Sequence, residues 1–338
     1  MVDLVDSVRL TPGEEAQARS YSYTLFGRLL LEGITADLLP TIRAIPELAD
    51  LLPDPIDLEE TAAAHHRLFA FNVFPYAGIF LEDSGLLGGP IAGEVKGIYQ
   101  KAGFETDTAG ADPDHLGQEM AFLAYLTGAE ARAWQNDQLP AVSAWQAAQY
   151  HFLETHLLSW LIPCLITIQQ QEDNFYRRLA QIILALAAGH YQTLVETDSI
   201  LADEPASIPI PLESSTAGMF PPLEDGQTGL REIARFLITP VQAGLFLSRH
   251  DLDLLARRLS LPHGFGSREQ MLLNLLRTAG QYDSALALFQ ALQAHINCWQ
   301  EIYRSVQKDF PQTAVFVHPW QNRTEQAQQL LIQMQNRL

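Results

Sequence analysis

Residues 112–123 read DPDHLGQEMAFL and have the features of a helix start. Asp112 is a good N-cap residue, and the proline that follows it fits the first helical position. Asp114 adds a negative charge near the positive end of the helix dipole. His115 and Glu119 are one turn apart on the same face of this predicted helix, so they can pair. The residues then expected in the core are Phe122, Leu123 and Leu126.

Helical spacing continues on both sides of this stretch. Apolar residues recur at intervals of three and four within residues 175–194 and 288–306, and a sustained alternation of period two is absent from the sequence. Helix starts are also predicted at Thr11 and Ser267. Breaks or kinks are predicted at Pro40, Pro46, Pro140 and Pro163. The pattern therefore predicts an all-α fold.

The charge of the chain is strongly negative. Lys and Arg number 21 against 40 Asp and Glu, which makes the net charge −19. Residues 1–220 carry 10 basic and 30 acidic side chains, whereas residues 221–338 carry 11 and 10. Such a chain repels phosphate backbones and anionic lipid, so nucleic-acid binding and membrane-surface binding are disfavoured. A basic partner is favoured.

Three segments are predicted from this charge division and from the prolines between them. Residues 1–200 form an acidic all-helical unit, residues 201–228 a proline-rich linker, and residues 229–338 a C-terminal helical extension.

One hypothesis for the extension is that it docks on the acidic unit as one wall of a binding site. The alternative is that its arginines are solvated or form ion pairs. These arginines are Arg231, Arg235, Arg249, Arg257 and Arg258.

A cytoplasmic location without membrane insertion is expected. Cys164 and Cys298 are far apart in sequence, which suggests reduced thiols. Residues 1–9 lack the basic start and apolar run of a secretory signal. The most apolar stretches, residues 157–168 and 182–188, are interrupted or too short to span a bilayer.

Sequence signatures of catalysis or metal binding are missing. His65 and His66 are adjacent and His151 and His156 are five apart, so neither pair has the spacing of a helical zinc site. The glycines of residues 264–266 follow a helical pattern and predict a turn between helices, because a dinucleotide site requires a preceding strand. We therefore predict no metal, no cofactor and no catalytic residues.

Several motifs in order resemble the TorD/DmsD-type chaperones of molybdoenzymes. They are the Pro-Asp-His-Leu turn with a Glu four residues after its histidine, the Tyr-x-x-x-Phe of Tyr76 and Phe80, the helix with Glu94 and Tyr99, and the later His156-Leu157-x-x-Trp160. The resemblance covers roughly residues 15–200, and residues 221–338 resemble only extended members. Asp112 departs from the pattern, because a Glu is common at its position.

The resemblance implies a helical bundle that acts as a cytoplasmic chaperone. Such a protein binds the apo-form of a molybdopterin oxidoreductase through its twin-arginine signal peptide until the cofactor is inserted. It implies no enzymatic activity and either a monomer or a homodimer. The residues expected to bind the peptide are Asp114, His115, Glu119, Tyr76 and Phe80. The alternative for Asp114 and His115 is helix capping alone, and for Tyr76 and Phe80 it is packing in the core.

Alternatives from other classes stay open. One is an enzyme in which Asp114, His115 and Glu119 form an acid–base site, where a carboxylate-oriented imidazole acts as general base. This trio has no accompanying nucleophile or cofactor motif, and a helix start explains it without chemistry. The other is a permanent helical scaffold subunit.

Overall fold

The computed structural model describes residues 10–106, 111–201, 229–262 and 264–338. Within these ranges every regular element is a helix, which confirms the predicted all-α fold with additional C-terminal helices. The N-terminal part contains α1 (Pro12–Leu31), α2 (Leu39–Arg43), α3 (Pro46–Ala49), α4 (Leu58–His66), α5 (Ala77–Leu81), α6 (Pro90–Ala102), α7 (Leu116–Gln135), α8 (Leu139–Phe152), α9 (Leu158–Gln169) and α10 (Asn174–Leu201). The C-terminal part contains α11 (Leu230–Ile238), α12 (Pro240–Ala243), α13 (Arg249–Leu259), α14 (Arg268–Gln281), α15 (Ala285–Asp309) and α16 (Ala314–Gln335). Shorter π-helical turns span Arg67–Asn72 and Leu153–Leu157, and a 3-10 turn spans Pro311–Thr313.

Residues 1–9 and 202–228 lie outside the described ranges. The expectation about an N-terminal signal and nearly all of the predicted linker fall on these residues. The segment boundaries 1–200, 201–228 and 229–338 therefore stay predictions.

The helix starts predicted at Thr11 and Ser267 are observed at these residues. Thr11 and Glu14 form a capping box at the start of α1, in which the Glu14 carboxylate accepts the Thr11 N–H at 2.8 Å. Ser267 caps α14 by accepting the Gln270 N–H at 3.2 Å. The glycines of residues 264–266 lie between α13 and α14, as predicted. These caps satisfy N–H groups that have no partner inside the helix.

Pro163 is the exception among the predicted breaks. Pro40, Pro46 and Pro140 lie in the first turns of α2, α3 and α8, but Pro163 lies inside α9. A proline has no N–H, so the carbonyl four residues earlier, that of Ser159, loses its helical partner. The indole N–H of Trp320 on α16 donates to this carbonyl at 2.9 Å. A contact from the C-terminal part thus satisfies the acceptor that Pro163 leaves unpaired.

Because Pro163 does not break the helix, α8, the π-helical turn and α9 form a continuous helical run from Leu139 to Gln169. By length and composition this run of 31 residues can cross a membrane, which corrects the expectation that the apolar stretches are too short. In the fold, 83% of its most apolar stretch is buried inside the protein. Burial of this extent is typical of the central helix of a bundle.

The close packing of α1 on α7 depends on two glycines. These helices make the most extensive helix–helix contact in the described part of the chain. A Cβ atom on Gly117 would lie 2.5 Å from Leu31 Cγ and 2.8 Å from the Gly27 carbonyl oxygen. Only glycine leaves room for the two backbones to approach this closely.

The C-terminal helices pack against the N-terminal part. The Phe80 ring on α5 lies 5.9 Å from the Trp160 ring on α9 and stacks at 5.4 Å on the ring of Phe246, which follows α12. The Gln312 side chain donates to the Ala188 carbonyl of α10 at 3.1 Å. Buried apolar side chains from both parts form one contiguous core.

Candidate functional site

The segments that precede α5 and α7 lie side by side. Tyr76 and His115 form an isolated antiparallel bridge. The Ala77 N–H donates to the Asp114 carbonyl at 2.9 Å, and the Leu116 N–H donates to the Pro75 carbonyl at 2.8 Å. This bridge places the starts of both helices next to each other.

The bridge also explains why α7 begins later than predicted. The expected N-cap was Asp112, but the observed N-cap is His115, whose Nδ1 accepts the Gly117 N–H at 3.0 Å. Asp112 does not cap α7, because Asp114 and Leu116 are held by backbone hydrogen bonds to the other segment. Burial lowers the pKa of His115 to about 3, which keeps the imidazole neutral and able to accept.

Asp114 holds the first turn of α5. Its Oδ2 accepts the Gly78 N–H at 2.9 Å, and the residue is only 1% exposed. Its Oδ1 is buried and has no hydrogen-bond partner. Burial raises the pKa of Asp114, although the Gly78 N–H favours the charged form.

Glu119 pairs with His156, and the predicted pairing of Glu119 with His115 is not formed. Glu119 Oε1 lies 2.8 Å from His156 Nε2. The His115 ring is turned toward the Gly117 N–H at the helix start. Glu119 Oε2 and the neighbouring Trp160 Nε1 are buried without a hydrogen-bond partner.

The protonation of this pair follows from its burial. Burial raises the pKa of Glu119, and the adjacent His156 opposes that shift. For His156, burial alone would lower the pKa, but the negative charges of Glu119 and Asp114 outweigh it and raise the pKa. A buried imidazolium at His156 is therefore favoured by its carboxylate neighbours.

A cleft of about 730 Å³ opens beside this pair. His156 lies in its wall, so the cleft is connected through His156 to Glu119. Among the residues that the structure describes, the other polar side chains in the lining are Glu82, Asp83, Ser84, Glu94, Thr155 and Ser159, and none is a Lys or Arg. Apolar surface comes mainly from Leu81, Leu86, Leu87, Pro90, Ile91 and Val241. The cleft is therefore acidic and partly apolar.

The loop between α5 and α6 forms one side of the cleft. Glu82 Oε1 accepts the Ile91 N–H at 2.9 Å. This carboxylate thereby supplies the cap that Gly89, the N-cap residue of α6, cannot supply itself. Leu86 and Leu87 on the loop are 67% and 50% exposed, so their apolar surface is available to a ligand.

None of the five predicted peptide-binding residues lines this cleft. Tyr76 is half-buried, with its ring 4.8 Å from the ring of His115. Phe80 is fully buried in the shared core, and Asp114, His115 and Glu119 are buried behind the cleft. Their contact with a peptide stays a prediction.

His156 is the residue that sequence reasoning did not place at the site. It belongs to the quoted His156-Leu157-x-x-Trp160 motif, but its partner Glu119 is 37 residues away in sequence. Spacing within one helix cannot indicate a pair between two helical segments. The available signal was that both residues belong to the motifs by which the sequence resembles the chaperone family.

The described ranges contain no group of three or more His, Cys, Asp or Glu side chains arranged to hold a metal ion. The acid–base trio of Asp114, His115 and Glu119 is not assembled either, since His115 accepts a backbone N–H and Glu119 pairs with His156 instead. In the same ranges, the one ion pair between a histidine and a carboxylate at this site joins His156 and Glu119.

The chain is similar to one protein family and to two chaperone proteins. The family model described as nitrate reductase delta subunit matches residues 36–165. The chaperone protein TorD of Vibrio parahaemolyticus is 28% identical over 160 residues, which cover 45% of this chain and 73% of that protein. The perchlorate reductase assembly chaperone protein of Dechloromonas aromatica is 36% identical over 87 residues, which cover 25% of this chain and 37% of that protein. No solved structure gives a significant match. The family match includes the bridge, the Glu119–His156 pair and most of the cleft.

Proposed function

We propose that this chain is a TorD-type chaperone and that it assists the maturation of a molybdopterin-containing oxidoreductase. In this proposal it acts in the cytoplasm, without catalysis, on the apo-form of its client. It binds the client's twin-arginine signal peptide until the cofactor has been inserted.

The observation that carries the proposal is the chemistry of the cleft. Among the described residues, its lining combines carboxylates with exposed leucines and has no Lys or Arg. A twin-arginine peptide combines a basic start with an apolar stretch, so its two parts are complementary to the two kinds of surface. The chain as a whole carries a net charge of −19, which attracts the basic part over a longer range.

The two kinds of surface contribute differently to affinity. An exposed ion pair contributes about 0.2–1 kcal/mol. Burial of ~400 Å² of apolar peptide contributes roughly 10 kcal/mol before the costs of association and ordering. The leucines therefore supply most of the affinity, and the carboxylates supply orientation and a faster association.

The buried residues behind the cleft keep their proposed role in peptide binding. Asp114 and Glu119 each have one carboxylate oxygen without a hydrogen-bond partner, and His156 connects Glu119 to the cleft. A guanidinium that reaches these oxygens would satisfy them with charge-assisted hydrogen bonds. Tyr76 and Phe80 support this arrangement from the bridge and from the core.

Calorimetric titration of the full chain with a synthetic twin-arginine leader from a molybdoenzyme of the same genome tests the proposal. We expect binding that weakens two- to fivefold in Glu94→Gln at low salt, because one exposed ion pair is lost. Leu87→Asp should weaken binding by tenfold or more, because it places a charge on the apolar surface. Glu301→Gln on α15 changes a glutamate that is also exposed but lies outside the cleft, and it should have no effect.

The same leader with both arginines replaced by glutamine should bind more weakly. Absence of binding by every such leader of the host, with helicity confirmed by circular dichroism, would disprove the proposal. Gel filtration of the client before and after cofactor insertion separates a chaperone from a scaffold subunit. A chaperone leaves the mature enzyme, whereas a scaffold subunit stays bound.

A further inference from the structure

A second pocket of about 330 Å³ lies on the other side of the loop between α5 and α6. It shares Asp83, Ser84 and Leu87 with the acidic cleft, so the same loop separates the two. Its opposite wall comes from the C-terminal helices and contains Arg235, Arg249 and Arg268. The loop therefore has the acidic cleft on one side and a pocket with three arginines on the other.

Two of these arginines occupy the first positions of two helices. Arg249 follows the N-cap Ser248 of α13, and Arg268 follows the N-cap Ser267 of α14. Because the N-terminal end of a helix carries a partial positive charge, a cation at this position is disfavoured. Two helix starts and two guanidinium groups thus meet at one pocket, and Asp251 and Glu269 in the first turns of the same helices offset part of their positive charge.

Arg268 is held rigidly in this position. Its Nη1 donates to the Ile238 carbonyl at 3.3 Å and to the Leu247 carbonyl at 3.1 Å, and its guanidinium lies 4.0 Å from the centre of the Phe246 ring. Burial and, after it, the like charge of Arg249 lower the pKa of Arg268 to about 10. The group is still charged at neutral pH.

Three carboxylates offset part of the positive charge of the pocket. Asp83 and Glu269 are in its lining, and the negative charge of Asp251 opposes the lowering of the Arg268 pKa. Arg249 Nε is buried without a hydrogen-bond partner. Within the described part of the chain, no carboxylate oxygen lies within 4.0 Å of the charged nitrogens of Arg235, Arg249 or Arg268. In the lining, the Asp83 carboxylate accepts a hydrogen bond from the Gln242 side chain at 3.0 Å.

We propose that this pocket binds an oxyanion, either the phosphate of a small molecule or a carboxylate of a bound polypeptide. The guanidinium groups present planar sets of donors that match phosphate and carboxylate oxygens, and the two helix starts add favourable dipoles. The rigid Arg268 and the half-buried Arg249 form the inner part of the site, and the exposed Arg235 on α11 stands at its rim. This proposal does not depend on the chaperone function.

Inorganic phosphate, added to the full chain at constant ionic strength with chloride as reference, is the first probe. We expect phosphate to raise the melting temperature, and a calorimetric Kd for phosphate that weakens at least tenfold in Arg249→Gln. Arg235→Gln, at an exposed position where folding is not at risk, should weaken binding two- to fivefold. Arg231→Gln is the matched control, since Arg231 is exposed on the same helix and lies outside the pocket.

A peptide of four glutamates with blocked ends is the second probe and identifies the source of the oxyanion. Phosphate binding that depends on Arg249 and Arg235 supports a small-molecule source, and peptide binding with the same dependence supports a polypeptide source. If neither probe binds, or if Arg231→Gln weakens binding as much as Arg249→Gln, the proposal is overturned. Melting curves of each variant in chloride confirm that the variants are folded.

Discussion

Trp320→Phe tests whether the indole N–H compensates for the proline inside α9. Trp320 is fully buried, and its N–H donates to the Ser159 carbonyl at 2.9 Å. Pro163 cannot donate to this carbonyl. In Trp320→Phe the acceptor is therefore left buried and without a partner, which costs about 1–3 kcal/mol of unfolding free energy.

The substitution also removes part of a buried ring. Loss of that apolar volume lowers the unfolding free energy by an additional ~1–2 kcal/mol, whether or not the Ser159 carbonyl has a hydrogen-bond donor. The two contributions are separated by repeating the substitution in Pro163→Ala. There the restored backbone N–H at position 163 can donate to Ser159, so the carbonyl keeps a partner after Trp320 is replaced.

Urea unfolding of the four proteins, followed by far-ultraviolet circular dichroism, gives the coupling free energy. We expect Trp320→Phe to cost about 1–3 kcal/mol more in the wild-type chain than in the Pro163→Ala background, because only the wild-type chain loses the hydrogen bond. Equal costs in both backgrounds would refute the reasoning and leave Trp320 with a packing role alone. Coincident transitions by fluorescence and circular dichroism in the wild-type chain are the control for two-state unfolding.

Two further predictions concern the start of α7 and its contact with α1. The pKa of His115 is lowered to about 3 in the fold, so the unfolded chain takes up a proton that the folded chain does not, and stability is lost as pH falls from ~6.5 toward 3. His115→Asn keeps a side chain that can accept the capping hydrogen bond. Between pH 7 and pH 4.5, its unfolding free energy should fall less than that of the wild type, by up to ~1.4 kcal/mol per pH unit. An unchanged pH dependence would contradict this prediction. Gly117→Ala should destabilise the chain by about 1–3 kcal/mol, because its Cβ would meet Leu31 and the Gly27 carbonyl. Gly189→Ala is the matched control in α10, because the added Cβ would have no atom within 4 Å apart from its chain neighbours and the nearby backbone of its own helix. It should stabilise the chain by about 0.5–1 kcal/mol, and a loss of stability in both variants would contradict the steric explanation.

The features that sequence predicted correctly are those determined by neighbouring residues. The caps at Thr11 and Ser267 need only side chains three residues apart, and both are formed. The all-α fold follows from apolar spacing within single helices. Local physics is sufficient for these features.

The features that sequence missed depend on residues far apart in the chain. Asp112 satisfies every local rule for a helix cap, but the bridge between Tyr76 and His115 moves the start of α7 to Leu116. Pro163 is tolerated because a side chain from α16 reaches Ser159. Likewise the Glu119–His156 pair joins two helical segments that sequence spacing cannot bring together. Tertiary contacts overrule local preference at these positions.

The packing of Phe80 between Trp160 and Phe246 bears on how the chain can be divided experimentally. The family match ends at residue 165, but the core of the matched region is completed by side chains that follow residue 229. Because the two parts share this core, we expect them to unfold together. A fragment that ends before α11 would expose the Phe80 face to water and leave the Ser159 carbonyl without its indole donor. Work on ligand binding therefore needs the intact polypeptide.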